Sequence, residues 1–173
     1  MIKSVTAFFL AVILVIAVPA AAFSETSVYG NKAAADDMNL TIEKMLRYAA
    51  EDEYLARAEY NAIMNTYGTI RPFSSIEKAE ENHINFIKKI CSERNIAVPP
   101  DEGAEHAVTP PTLRSAFETG IQAEIDNIAM YERFLKENSL DKKENEDVKN
   151  LFQNLKQASE NHLRAFRKQL EKY

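Results

Sequence analysis

Cysteine and tryptophan are almost absent from this chain of 173 residues, which contains one cysteine, Cys91, and no tryptophan. A single cysteine excludes an internal disulfide, and the lack of a Cys-x-x-Cys pair excludes a zinc ribbon or related cysteine-ligated module. The fold must therefore be stabilised by its hydrophobic core. Cys91 falls at an apolar helical position, which favours a buried, inert thiol.

Glycine and proline are also scarce, with four and six residues. Four of the prolines lie in one stretch, between residues 99 and 111. The rest of the chain is free to form long helices, is rich in helix-forming residues, and has no alternating β-branched run after residue 30. The sequence therefore predicts an all-α protein. No internal repeat is visible.

Clusters of positive charge are missing as well. The formal net charge is -5, and basic residues are not interleaved with aromatic ones. This composition argues against binding to nucleic acid or to an anionic membrane surface.

The only long apolar run lies at the N-terminus, after Lys3, and ends in the small residues Ala20, Ala21 and Ala22. This order is typical of a secretory signal, with cleavage after Ala22 as the first choice and at Ser24 as the second. The alternative is an uncleaved anchor, because the run is nearly long enough to span a bilayer. We expect residues 1–22 to be a signal peptide of an exported, periplasmic or extracellular protein that has no membrane contact after cleavage. Residues 23–38 lack periodicity and are predicted to be a flexible lead-in.

Residues 39–173 contain four stretches in which apolar residues recur at steps of three and four, typical of helices packed at shallow angles. Their predicted bounds are 41 to about 67, 74 or 75 to about 94, 112 to about 137, and about 145 to the C-terminal end. The first and last connections are short, whereas about 17 residues separate the second helix from the third. The pattern predicts a four-helix bundle with one long crossover between helices 2 and 3.

Each apolar stripe is interrupted near its middle by side chains that bind metals. They are Glu53, Glu80, His83, Glu124 and His162. Carboxylates that converge in a core repel one another and take up protons, and a divalent cation removes that penalty. The spacing of Glu80 and His83 places both on one helical face, so that they can reach one ion. On the third helix, the predicted stripe continues from Glu124 to Ile128 and Tyr131.

Helix 4 departs from this pattern, because Ser159 stands three residues before His162, where a carboxylate would complete the set. Glu160 points away in a regular helix and would need a π-bulge to turn inward. Glu77 is another candidate replacement. Without either, the site has three carboxylates and two imidazoles, and its second metal position is weakened.

Interpretations without a metal exist for each residue. Arg57 stands four residues after Glu53 and could neutralise it as an ion pair. A single buried histidine is often a hydrogen-bonded core residue. The whole set could also be the remnant of a metal site that has decayed. We favour metal binding because all four stripes are interrupted at mid-length by ligand-type residues.

Several motifs resemble known families. The segment EYLARAEY, from Glu53 to Tyr60, resembles the first-helix motif of rubrerythrins, and AEENH, from Ala79 to His83, resembles their second-helix ligand motif. GIQAEIDNI on helix 3 and NHLRAF on helix 4 resemble an exported, ferritin-like prokaryotic family catalogued as a domain of unknown function. The resemblance implies a ferritin-like bundle. Rubrerythrin-like members would imply peroxide reduction at a di-iron centre, although this chain lacks their rubredoxin domain and would need a separate electron donor.

Three functional hypotheses follow. The first is a protein that binds one or two ions of iron or manganese for redox chemistry on oxygen or peroxide; no Ser-His-Asp or Cys-His set suggests other catalysis. The second is a metal-sequestering protein of the cell envelope without catalysis. The third is a structural or interaction bundle without metal, and a homodimer is compatible with each. Ser159 favours the second or third hypothesis over the first.

Overall fold

The computed structural model describes residues 28–173. The predicted signal peptide and both cleavage positions lie outside the described residues. Between residues 28 and 173 the chain forms helices and no strand, so the all-α prediction is confirmed for this part. None of the helices described there combines the length and the apolar character that a membrane span requires.

Four long helices dominate the structure. In chain order, the α-helices are α1 (Asn31–Asp36), α2 (Ile42–Tyr67), α3 (Phe73–Glu93), α4 (Gly103–His106), α5 (Leu113–Phe134) and α6 (Glu146–Leu170). The four long ones, α2, α3, α5 and α6, correspond to the four predicted stretches. α5 ends three residues earlier than predicted, and two short 3₁₀ turns lie between it and α6.

The helix ends follow from local chemistry. The hydroxyl of Thr41 accepts a hydrogen bond from the backbone N–H of Lys44, as an N-cap should. Gly68 ends α2 with φ at 89°, in a region that favours glycine. At the start of α5, the side chains of Thr112 and Ser115 each accept a hydrogen bond from the backbone N–H of the other residue, forming a capping box.

Contacts at the helix ends define the chain directions. Phe73, at the start of α3, stacks on Phe117 near the start of α5, with ring centroids 5.1 Å apart. At the other end, Nε of Arg94 donates to Asp147 in the first turn of α6 at 3.0 Å. α3 and α5 are therefore parallel, and α2 and α6 run in the opposite direction. The connection between α3 and α5 must consequently travel the length of the helices.

This crossover is held along α2 by specific contacts. Arg57 on α2 forms ion pairs with Asp101 in the crossover and with Glu81 on α3. Farther along, the hydroxyl of Tyr67 donates to the carbonyl of Pro110 at 2.6 Å. Between Asp101 and Pro110 in the crossover, Gly103 approaches α2 so closely that a Cβ would collide with the backbone carbonyl of Tyr54.

The segment before α2 differs from the expected flexible lead-in over the residues that the structure describes. Residues 31–36 form helix α1, and Ala34 is buried. Tyr29 is also buried and stacks on His106 of α4, with centroids 4.1 Å apart. A helix of six residues is too short to show a hydrophobic periodicity, which explains why the sequence did not reveal it.

The interior consists of two apolar clusters separated by a polar layer. One cluster contains Leu46, Ile84, Phe134 and Phe152, and the other contains Tyr60, Phe73, Phe117 and Phe166. Each long helix contributes one buried polar residue to the layer between the clusters. We call this layer the carboxylate layer, and its members are Glu53, Glu80, Glu124 and Ser159.

The close approach of Gly103 to α2 predicts that Gly103→Ala destabilises the protein. The added methyl group meets backbone atoms, which cannot move aside as a side chain can, so we expect a loss of about 1–3 kcal/mol in the free energy of unfolding. Glu105→Ala, on the same short helix, is the control and should change stability by less than about 0.5 kcal/mol. Chemical denaturation measures both, and equal stabilities for the two variants would contradict this packing.

Candidate metal centre

The five predicted ligand residues meet inside the protein, between the two apolar clusters. The three carboxylate side chains are 1–3% exposed, whereas the side chains of His83 and His162 are 13% and 12% exposed. Ser159 is buried among them, at 3% exposure. A helical interior rarely takes in three carboxylates unless they have partners.

The ligand atoms form two groups of three that share one carboxylate. Glu53, Glu80 and His83 make up the first group, and Glu80, Glu124 and His162 the second. Within each group the ligand atoms lie within 4.8 Å of one another. Because Glu80 belongs to both groups, its two carboxylate oxygens lie between the two imidazoles.

Both histidines direct Nδ1 toward the carboxylates. His83 Nδ1 lies 3.1 Å from Glu53 Oε2 and 2.7 Å from Glu80 Oε2. His162 Nδ1 lies 3.2 Å from the other oxygen of Glu80 and 3.4 Å from Glu124 Oε1. The two imidazole rings face each other across α3 and α6, with centroids 5.8 Å apart.

Two buried tyrosines hold the remaining carboxylates from the other side. Tyr131 on α5 donates its hydroxyl to Glu53 Oε1 at 2.7 Å, and Tyr60 on α2 donates to Glu124 Oε1 at 3.0 Å. Each tyrosine therefore orients a glutamate on the opposite helix, not one on its own. Neither tyrosine is among the five residues predicted from the sequence as metal ligands.

The tyrosine contacts reveal a correspondence between the helix pair α2–α3 and the helix pair α5–α6, although no internal repeat is visible in the sequence. Tyr60 follows Glu53 by seven residues, and Tyr131 follows Glu124 by the same interval. The pair α2–α3 thus supplies Glu, Tyr and Glu-x-x-His, and the pair α5–α6 supplies Glu, Tyr and Ser-x-x-His. Ser159 occupies the position in the second pair that Glu80 occupies in the first. The site is consequently symmetric except at this one residue.

Protonation compensates much of the charge in the metal-free site. Although burial alone lowers the pKa of an imidazole, the neighbouring carboxylates raise the pKa of His83 and of His162 to about 10. Burial, followed by repulsion from Glu80, raises the pKa of Glu53 to about 7. Glu80 shows the opposite shift: burial works to raise its pKa, but hydrogen bonds from His162 and His83 outweigh burial and lower it.

Two buried oxygens next to this network have no hydrogen-bond partner among residues 28–173. They are Oε2 of Glu124 and Oδ1 of Asn127, which stand three residues apart on α5. The predicted stripe of α5 placed Ile128 in the core, but Ile128 is only partly buried, and the buried position is Asn127. A step of three from Glu124, in place of four, brings this amide to the interior face. Unpaired buried oxygens are unfavourable without a cation or a water to bind them.

The residues weighed as substitutes or competitors lie elsewhere. Arg57 pairs with Glu81 and Asp101 and not with Glu53. Glu160 accepts a hydrogen bond from Gln157 at 3.0 Å, outside both ligand groups, and α6 is a regular α-helix there. Glu77 lines a surface pocket together with Arg57 and Glu81. Neither glutamate replaces the carboxylate that Ser159 lacks.

This donor set has the composition of a site for a divalent transition metal. Carboxylate oxygens suit ions such as manganese, imidazole nitrogens suit ions such as iron, and Glu80 belongs to both ligand groups. Neither ligand group includes a serine or a cysteine.

Comparison with known proteins adds a family relationship. A similar sequence, named Uncharacterized protein MJ0754, comes from Methanocaldococcus jannaschii; it is 28% identical over 138 residues, and the match covers 71% of each chain. No solved structure matches the chain. The family model described as an uncharacterized protein domain (DUF2202) matches residues 42–173. That match runs from the first residue of α2 to the C-terminal end and includes every residue of both ligand groups, and the chain therefore belongs to the DUF2202 family.

Proposed function

We propose that this protein binds one or two divalent transition-metal ions, iron or manganese, in the interior of a ferritin-like four-helix bundle. The observation that supports it is the pair of three-ligand groups that share Glu80, built from residues of all four long helices. Glu53, Glu80 and His83 would hold one ion, and Glu80, Glu124 and His162 the other.

The charge of the site supports a cation as occupant. Three carboxylates and two protonated imidazoles leave one negative charge in a layer flanked by apolar clusters, and the pKa of Glu53, raised to about 7, favours uptake of a further proton there. A divalent ion would replace these protons and bind the oxygen of Glu124 that has no partner. The tyrosine hydroxyls would orient Glu53 and Glu124 from outside the coordination sphere, as hydrogen-bond donors to metal-bound carboxylates commonly do.

The path of the chain supports the ferritin-like assignment. α3 and α5 begin at the same end of the structure, and a long connection runs beside α2 to join them. A bundle with one long crossover and ligands projecting inward from four helices is the architecture of ferritin-like di-metal proteins.

The chemistry depends on how many ions bind. Bound iron or manganese would supply redox chemistry on oxygen or peroxide, whereas the residues of this chain bind the metal, orient its ligands and keep water out. Ser159 removes a carboxylate from the second group, which favours a strong first position and a weaker second one. We therefore propose metal binding as the primary function, and oxygen or peroxide chemistry as its extension when both positions are filled.

We propose further that the protein is exported. This proposal depends on the N-terminal sequence alone, in which an apolar run ends in Ala20, Ala21 and Ala22. The metal would then be bound in the cell envelope or outside the cell.

A metal-free structural role is the second candidate, and one observation favours it. The raised pKa of both histidines means that imidazolium ions compensate two of the three carboxylates without any metal. A cation at Oε2 of Glu124 would satisfy an oxygen that the protonated histidines leave unpaired within residues 28–173, and this favours the metal-bound state over the metal-free one.

Removal of a histidine ligand tests the proposal directly. His83→Ala should weaken binding of Mn²⁺ or Fe²⁺ at least ~10-fold and remove the increase in melting temperature that metal produces, because one of three donors is lost. Metal content per chain, measured on untagged protein by elemental analysis, checks this. His106→Ala is the matched control, since His106 lies outside both groups. Equal metal content in all three proteins would rule out the site.

The raised pKa values predict that metal uptake releases protons. Metal ligands must be deprotonated, and both imidazoles are protonated at neutral pH because their pKa is about 10. Loading both groups with Mn²⁺ at neutral pH should therefore release about two protons, and apparent affinity should rise with pH until about pH 10. Calorimetric titration in two buffers of different ionisation enthalpy measures the protons released.

The stability of the metal-free protein should fall as pH rises, in contrast to the metal affinity, which should rise. A histidine whose pKa is raised on folding stabilises the protein most at acidic pH, and that contribution disappears as pH rises through about 10. The raised pKa of Glu53 acts in the same sense through about 7. We expect the metal-free protein to melt at lower temperature at pH 9 than at pH 7, and a higher melting temperature at pH 9 would contradict these charges.

The missing carboxylate can be restored. Ser159→Glu places a carboxylate three residues before His162, matching Glu80 and His83, and should tighten the second metal position ~10-fold or more. Ser159→Gln, of nearly the same size but neutral, is the control. Titration with Mn²⁺, followed by electron paramagnetic resonance of the free ion, measures both. If the two variants bind the second ion equally, Ser159 does not limit the site.

A further inference from the structure

A groove on the outer surface between α3 and α6 reaches the candidate metal centre. Its volume is about 420 Å³, within the range of small-molecule sites, and His83 forms part of its lining. Phe86 and Ile90 of α3 form one wall, and Leu151 and Leu155 of α6 form the other. Of the residues that line it, only His83 also belongs to a ligand group.

The position of His83 links the groove to the interior. Its Nδ1 is directed at Glu53 and Glu80, so the ring edge that carries Nε2 is turned away from the carboxylates. The remaining 13% exposure of this side chain places the ring at the boundary between the carboxylate layer and the outside. A molecule in the groove would therefore lie against a side chain that we propose as a metal ligand.

The chemistry of the lining favours a neutral, aromatic occupant. The walls are apolar, and the ring of Phe86 is 56% exposed, which offers a face for stacking. The two charged residues of opposite sign, Lys89 and Asp147, are paired with Glu93 and Arg94, so the groove offers no unpaired charge to bind an ion.

Hydrogen-bonding groups complete the groove. The side-chain amides of Asn150 and Asn154 stand one helical turn apart on α6, on its exposed rim. Amides can donate to or accept from a hydroxyl without requiring charge. The lining thus suits a flat ring that carries a neutral hydroxyl group.

A second copy of the chain fits this groove less well. Among the large apolar side chains that are exposed within residues 28–173, Phe86 is the only one on α3 or α6. A stable interface between proteins buries roughly 800 Å² on each partner and has an apolar centre of several residues. One exposed ring above a narrow groove is the feature of a small-molecule site.

We propose that the α3–α6 groove binds a small, neutral aromatic molecule bearing a hydroxyl group, a phenol or naphthol in class, against the outer edge of His83. The groove itself is independent of any metal, whereas its role as the place where an organic substrate or reductant meets the centre rests on the proposed function.

Binding of 2-naphthol to the full mature chain without metal tests the groove. Equilibrium dialysis should show saturable binding of one molecule per chain. Asn150→Trp fills the groove from its exposed rim and should weaken binding at least ~10-fold, and Phe86→Ala should weaken it ~5-fold through loss of stacking. Gln153→Trp, exposed on the same helix but outside the groove, is the control and should bind as the wild type does. Both tryptophan variants replace exposed residues, so folding is preserved.

Proton relaxation of 2-naphthol in the presence of Mn²⁺ tests the neighbourhood of the metal centre. The bound probe should relax faster with Mn²⁺-loaded wild type, and this enhancement should disappear in Asn150→Trp. If the chain binds 2-naphthol in the groove but no Mn²⁺, the proposed function fails and the groove remains a binding site. If it binds Mn²⁺ but binds 2-naphthol no better than Asn150→Trp does, the groove inference is overturned and the metal proposal stands.

Sedimentation velocity tests whether a second copy of the chain covers the groove. We expect Phe86→Ala to leave the mass of the particle unchanged. A wild-type dimer that Phe86→Ala converts to a monomer would show that a second copy covers the groove, and would overturn the inference.

Discussion

Burial of three carboxylates at one level of a helical interior is the constraint on which the rest of this structure depends. Ionised carboxylates in such an environment repel one another and lose their hydration, so each needs a donor or a cation. Glu53 and Glu124 each receive a tyrosine hydroxyl, and all three glutamates lie beside an imidazole Nδ1. The apolar clusters above and below keep water away and make these partners necessary.

The arrangement divides into two sides. α2 and α5 supply a glutamate and a tyrosine each, and their side of the site is closed by the buried rings of Tyr60 and Tyr131. α3 and α6 supply the histidines, which retain some exposure, and His83 also lines the groove between these two helices. The side formed by α2 and α5 therefore orients the carboxylates, whereas the side formed by α3 and α6 contacts the exterior.

Near-symmetry with one exception is the feature that bears most on function. The two helix pairs present matching residues except that Ser159 stands where the other pair has Glu80, and no other carboxylate within residues 28–173 joins the ligand groups. The centre therefore has one shared carboxylate where full symmetry would give two. Under the proposed function, this missing charge is the reason why we expect the second metal position to bind more weakly than the first.

The sequence by itself determined the helical fold, the four long helices and the ligand-type residues, because these depend on periodicity and spacing within a single helix. Thr41 and Thr112 begin their helices and Gly68 ends α2. These ends depend on local hydrogen bonds and backbone angles that the residue types themselves favour, so the sequence could predict them. Only the tertiary structure decided which partners these residues meet. The crossed pairing of Tyr60 and Tyr131 and the commitment of Arg57 to Glu81 and Asp101 join residues on different elements, which no pattern within one helix can reveal. The burial of Asn127 in place of Ile128 has the same cause: the rotation of α5 is set by what packs against it.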